Sequence, residues 1–510
     1  MLETKLVDGL IAVVGEANVS TDESSLRSIG TNTYGVERLP LAVVRPGSTG
    51  EVAAVVKWAG ERGVSLYLSS RGMNLGYGSR VPPSENAVLL DLRRLNRILD
   101  LDPSLGYVRV EAGVSFGALQ AHLAEHAPGV VLTAIGGSAE SSLVGNLVER
   151  GLGKGTYGDR FLHACDLEVV LADGSIVRTG FGRYAAARAA GVHRWGLGPA
   201  VDGIFTQSTL GVVTQVTLWL QKKATYRASC VFWTDDDDGA AALVDRIREL
   251  KLEGTVTSTS LIANDVRRMS FLRQYPWAEM GGRTPLSRDV RVQLRTVGAW
   301  CGDFTLYAAT RRILEGLRAR ARDMLAGAVD GVAFSDENEP LAPALRGSLD
   351  AVDKLAAGAL LPTSLTPVYW RARTSPSECP DPLRAGAGLL WFAPAVPMRS
   401  EDASWCAKTT ERIVSDHGFE PNMGFNCFSD RAFDCTTLVA FDRTIPGEDE
   451  RARVCYRELV HTFAERGLFP YRMPLGFEDA LDPYRGPGVS LRLKQALDPM
   501  GIFAGGRYVD

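Results

Sequence analysis

Apolar and polar positions recur with two different periods along the first 220 residues, and the switches between them mark out strands and helices. Residues 42–46 and 64–68 are short β-rich runs. Between them, 49–62 places Val52, Val55, Val56 and Ala59 on one helical face. Runs 87–92 and 106–110 predict two further strands, and 115–127 predicts a helix stopped by Pro128-Gly129. Residues 167–171 and 176–178 flank Ala172-Asp-Gly-Ser175 and predict a hairpin around Asp-Gly; 212–220 is another strongly apolar strand. The stretch 132–158 follows neither period and is dense in glycine and serine.

The character changes after Lys222-Lys223-Ala224. Residues 235–238 are four consecutive aspartates, which predict a solvated helix start, and 310–328 predicts a long amphipathic helix whose arginines face solvent. The pattern divides the chain into residues 1–224, an inserted α+β unit at 225–467, and a Gly- and Pro-rich segment, 468–510, that returns to the first part. A length of 510 residues accommodates two or more domains with large cores.

Composition removes several classes. Hydrophobic residues make up 45% and charged residues 23%, as in an ordinary globular protein. The net charge is −4 without a Lys/Arg block, which argues against a nucleic acid or an anionic membrane as partner. No apolar run is long enough to span a bilayer, and residues 1–15 lack a basic leader and a small-residue cleavage site, so a cytoplasmic location is expected. The eight cysteines form no C-x-x-C pair and the six histidines show no ligand spacing with them. Free buried thiols and no metal are expected.

The candidate chemistry starts at residues 68–80, Leu-Ser-Ser-Arg-Gly-Met-Asn-Leu-Gly-Tyr-Gly-Ser-Arg, where a strand runs into a loop with glycines at 72, 76 and 78. Such a loop lets backbone N–H groups approach an anion, and Arg71 adds a positive fork suited to phosphate oxygens. It is not a dinucleotide-binding turn entering a helix, because Pro82-Pro83 follow, nor a P-loop, because no Gly-Lys-Ser/Thr is present. A diphosphate is the ligand that suits it.

Further along stand Gly145-Asn146, Glu149-Arg-Gly151-Leu-Gly153, Tyr157-Gly-Asp159, the 167–179 hairpin, and a run from Gly198 through Gly211 and Val213 to Thr214. In this order the set resembles the vanillyl-alcohol oxidase/4-cresol dehydrogenase family of flavoproteins, through most of residues 40–222 and again at the C-terminus. The resemblance implies an α+β fold: a two-part PCMH-type FAD-binding domain with an inserted α+β cap domain over the substrate. It implies that Ser69, Ser70, Arg71, Gly72, Met73, Asn74, Leu75, Gly76 and Gly78 hold the FAD pyrophosphate. Gly145, Asn146, Glu149, Gly151 and Gly153 would lie along the flavin, Gly211 and Val213 at the adenine end, and Arg507 near the isoalloxazine or its tail.

Tyr471-Arg472 precedes Leu475 and Phe477 in a context similar to the family's phenol-binding motif, and Tyr77 matches its second tyrosine. An arginine remains charged at any working pH and stabilises a phenolate. The resemblance therefore implies hydride transfer from a para-substituted phenol to the flavin, with oxygen or an electron carrier as the final acceptor, and a homodimer. Three departures stand out. Leu389 occupies the position of the family's flavin-linking histidine, and Met73-Asn74 replace the other common attachment site, so FAD is expected to be dissociable. The position of the family's acid near the flavin holds Gly137, leaving Glu140 or Ser138 to supply a base. Lys154 stands where an aromatic residue is common. A flavin-dependent 2-hydroxy acid or lactone dehydrogenase, with Arg472 on a carboxylate, and a non-catalytic flavin-fold binding protein are the competing readings.

Overall fold

The helix predicted over 49–62 forms as Thr49–Arg62 because both ends are written in the sequence. The Ser48 side chain accepts from the Glu51 N–H, and Gly63 ends the helix at φ +63°, in the left-handed region. In this computed structural model, which describes residues 2–337 and 340–508, that helix links two strands of a four-stranded sheet. Ala42–Val44 and Ser65–Ser69 both pair in parallel with Ala87–Asp91, and Val19–Ser20 closes one edge. A second, five-stranded antiparallel sheet follows the order Ile98–Asp102, Tyr107–Glu111, Val212–Trp219, Ala164–Val170, Ile176–Arg178. The predicted hairpin is its outer pair. Val52, Val55 and Val56 pack between the two sheets in one core with Leu66, Val88, Leu90, Val110 and Val216. The tail does return: Leu66 N–H donates to Ile502 O at 2.7 Å, and Ala504 N–H to Leu66 O at 2.9 Å.

Residues 226–442 build an eight-stranded antiparallel sheet whose two faces differ. Even-numbered positions of Tyr226–Thr234, such as Cys230 and Phe232, pack under the helices Ala240–Leu252, Arg311–Leu325, Ser400–Asp416 and Glu448–Glu465. The opposite face carries Asp265–Leu272 and Pro343–Ala356, and these look toward the first lobe. The fold is α+β, as expected. Two details differ from the sequence reading. Asp237 is not merely solvated, since it binds Arg288 and Arg295, which fold back onto it from another segment. Arg318, Arg320 and Arg322 reach Asp336, Glu253 and Glu337 instead of standing free in solvent. All eight cysteines are free thiols, and only Cys379 is not fully buried. Among the described residues, no helix is long and apolar enough to cross a membrane and no acidic, His or Cys cluster is placed to hold a metal ion.

Candidate active site

A cavity of about 670 Å³ lies between the two lobes. One wall is the loop after Ser69, from which residues 69–75, Tyr77 and Ser79 face the space. Gly72 and Gly76 sit at φ +75° and Gly78 at φ +124°. This turns the chain so that the N–H groups of residues 71–75 donate to no protein acceptor among the described residues. Gly76 and Gly78 face away from the cavity. The Gly76 N–H donates to Thr33 Oγ1 at 3.0 Å, and a Cβ there would fall 2.6 Å from Trp391 Cδ1, so the cap strand Ala387–Phe392 rests directly on this loop.

The second wall is the helix Leu143–Val148, capped by Ser142 accepting from Gly145 N–H. Buried Arg160, absent from the sequence reading, holds it in place. Its Nη1 donates to Asn146 Oδ1 at 2.8 Å and its Nη2 to Thr133 O at 2.9 Å; burial draws its pKa down to about 9. A Cβ on Gly151 would fall 2.1 Å from Asn146 Nδ2, and one on Gly153 would fall 2.1 Å from Arg160 Nη2. Those two glycines make room for this brace. Gly145, Asn146, Glu149, Gly211, Val213 and Arg507 all line the cavity.

Two expectations are corrected here. Arg71 is not a free fork: its Nε donates to Glu140 O at 2.6 Å, its Nη1 to Gly113 O at 3.3 Å, and its Nη2 pairs with the Glu140 carboxylate. Glu140 is two-thirds exposed, at 66% of its side chain, and is absent from the cavity wall. A base in contact with substrate cannot sit there, because a solvated carboxylate paired to arginine is neither desolvated nor aimed inward. Ser138 does line the cavity; Leu389 instead packs under Gly76, tied by Leu389 N–H to Thr33 O at 2.9 Å.

Tyr471, Arg472 and Tyr77 come together, although 394 residues separate the first and last. The Arg472 guanidinium stacks over the Tyr77 ring at 4.1 Å, and its Nη2 donates to Asn74 Oδ1 at 2.6 Å and Glu149 Oε2 at 3.2 Å. Glu149 Oε2 also accepts from Arg507 Nη2 at 3.3 Å and Tyr508 Oη at 2.8 Å. One carboxylate thus serves two arginines, leaving a net positive charge. Burial pushes Glu149 up, but Arg507, Arg472 and the Tyr508 hydroxyl together hold it below the usual carboxylate value. Burial pushes Tyr77 well up and Tyr471 up to about 12, so both hydroxyls remain protonated donors at neutral pH.

The cap contributes charges that local sequence does not reveal. Asp303 accepts from Lys154 Nζ at 2.6 Å and from Arg268 Nη2 at 3.0 Å, and all three line the cavity with Arg267 and Trp391. Asp434 is buried on the strand Ala432–Asp442; desolvation, then Asp159, push its carboxyl well above the usual range, and its charge is felt at Tyr471. The partners in each case come from distant segments, so no local motif could have pointed to them.

Several buried polar atoms on the wall lack a partner among the described residues: Ser79 Oγ, Ser208 Oγ, Thr209 Oγ1, Arg472 Nε and Arg507 Nε. Buried polar groups left unpaired are costly, and a run of them around one cavity matches a large polar ligand such as FAD. The loop N–H groups suit its diphosphate.

The fold and this wall define a flavoprotein. A family profile described as "FAD binding domain" matches residues 40–180. Over 97% of its length the chain is 36% identical to the 1'-carboxy-chondrochloren decarboxylase of Chondromyces crocatus, covering 95% of that protein. Over 99% of its length it is 30% identical to the flavoprotein subunit of 4-cresol dehydrogenase [hydroxylating] from Pseudomonas putida, again covering 95%. Among solved structures, p-cresol methylhydroxylase with substrate bound superposes with a TM-score of 0.91 at 27% identity, over 99% of this chain and 96% of that one. The chain belongs to the vanillyl-alcohol oxidase/4-cresol dehydrogenase family of FAD-binding oxidoreductases.

Proposed function

We propose that the protein oxidises a para-substituted phenol at its benzylic carbon, using dissociable FAD. The observation that carries the reading is the Arg472 guanidinium stacked over Tyr77 beside Tyr471, with Glu149 shared between two arginines. A phenol placed there meets a permanent cation, which lowers its pKa by about 1–3 units, and two hydroxyls that stay protonated and donate to its oxygen. Ionisation sends electron density to the para carbon and makes its substituent a hydride donor. Bound FAD would supply the hydride acceptor. Dissociable binding is supported by the absence of histidine and cysteine, and of any cap-domain tyrosine, from the cavity wall among the described residues. The absence of histidine also counts against the hydroxy acid reading. The relative named as a decarboxylase suggests that loss of a carboxyl group is one fate of the oxidised side chain.

The test is anaerobic addition of 4-alkylphenols to the purified yellow protein. Bleaching is expected, slowed about 100-fold or more in Arg472→Met. Bleaching by 2-hydroxy acids and not by phenols would favour the dehydrogenase reading. Acid precipitation should leave the flavin colour in the supernatant; colour retained in the pellet would contradict dissociable FAD.

A further inference from the structure

Arg267, on the cap helix Asp265–Leu272, lines the cavity without an acidic partner among the described residues. Its Nη1 donates to the neutral Asn422 Oδ1 at a long 3.3 Å, and its buried Nε has no partner. The nearby acids are engaged elsewhere: Asp265 holds Arg291 at 2.8 Å and Arg295 at 3.4 Å, and Asp303 holds Lys154 and Arg268. Burial, followed by the charge of Arg268, pulls the Arg267 pKa down to about 10, so it remains cationic at neutral pH. This part of the cavity wall therefore carries three cations, Arg267 and Arg268 from the cap and Lys154 from the first lobe, against the one carboxylate of Asp303.

Aromatic stacking does not balance this charge. The Arg267 guanidinium lies 4.8 Å from the Trp391 ring and 5.2 Å from Phe271. Such contacts recover only part of the cost of desolvating a cation, whereas a carboxylate recovers much more. Trp391 also fixes where Arg267 stands, because its indole rests on Gly76, next to the Tyr77 ring that Arg472 covers. Arg267 is thus linked through Trp391 and Gly76 to the phenol end of the cavity, from the cap side.

We propose that Arg267 is an anion-binding residue for the substrate, so that the phenols this protein takes carry a carboxylate on the para side chain. The site is built from two sides: Arg472, Tyr77 and Tyr471 hold the phenol oxygen, and Arg267, beside Trp391 and Phe271 on the cap, holds the carboxylate. This substrate class rests on the phenol-oxidation reading above.

The experiment uses 4-hydroxyphenyl-alkanoates with one to four methylenes, each beside its neutral methyl ester, on the FAD-loaded protein. Binding is read from perturbation of the flavin spectrum, and reduction from anaerobic bleaching. At least one chain length should bind about 30-fold or more tightly as the acid than as the ester. That ratio should collapse toward one in Arg267→Met and be partly kept in Arg267→Lys. An acid preference that survives Arg267→Met, or no acid preference at any chain length, overturns the assignment. If Arg267→Met fails to fold, Arg267→Gln carries the same test. Tight acid binding without bleaching by any phenol would leave the anion site standing and refute the phenol-oxidation reading. Bleaching by esters and acids alike, without a binding difference, would do the reverse.

Discussion

Glu149→Gln removes the one carboxylate that neutralises Arg472 and Arg507 while keeping the shape of the side chain. In the structure its Oε2 lies 3.2 Å from Arg472 Nη2, 3.3 Å from Arg507 Nη2 and 2.8 Å from Tyr508 Oη. Breaking a buried ion pair by removing one partner costs about 3–5 kcal/mol. The amide oxygen of glutamine keeps an acceptor for these donors, which returns about 1 kcal/mol. The expected loss at pH 7 is therefore about 2–4 kcal/mol. For a chain of 510 residues melting as one unit the unfolding entropy is about 1 kcal/mol per degree, so Tm should fall by about 2–4 °C, and by roughly twice that if the first lobe melts alone. The pH dependence follows from the direction of the shift. Glu149 lies below the usual carboxylate value when folded, so its contribution is complete above the unfolded value of about 4.3 and fades as pH falls through the folded value. Calorimetry of both proteins from pH 7 down to pH 3 should show the Tm gap shrinking in acid. Equal Tm at pH 7, or a gap that stays constant into acid, would refute the reasoning.

Two other substitutions test separate parts of the structure. Asp434→Asn should stabilise the protein as pH rises above about 4, because a carboxyl raised by burial loses folded-state stability between its unfolded and folded pKa values. Because Asp434 does not line the cavity, the same variant should leave flavin reduction by phenols unchanged; slowed reduction would place Asp434 in the chemistry. Gly76→Ala combines φ +75° with a Cβ 2.6 Å from Trp391 Cδ1 and 2.9 Å from Leu389 Cδ1. It should lift the cap strand from the loop and weaken FAD retention about tenfold or more, measured by equilibrium dialysis of the flavin.

Where the chain's own neighbours decide the geometry, the sequence was readable. The helix Thr49–Arg62 needed only Ser48 and Gly63, and the glycines at 72, 76 and 78 sit at positive φ, as a glycine-rich loop suggests. The assembly of Tyr77 with Tyr471 and Arg472 was legible through the resemblance alone, since no local pattern links residues so far apart. What stayed hidden was side-chain partnership across segments. Arg71 reads as a phosphate fork until Glu140 and Gly113 are seen to occupy its nitrogens. Lys154 looks like an odd substitution until Asp303 and Arg268 close around it. The cap was the least readable part, because its sheet order brings residues 260–264 between strands 300–308 and 422–427, and strand pairing over such separations leaves no periodic trace.

The central claim is that Arg472, flanked by Tyr77 and Tyr471, ionises the substrate phenol. It is tested most directly by titrating a chromophoric phenol such as 4-nitrophenol bound to the FAD-loaded protein, following the phenolate band against pH. The account predicts a bound pKa about 1–3 units below the free phenol, returning to or above the free value in Arg472→Met. A bound pKa equal to or higher than that of the free phenol in the unaltered protein would contradict it.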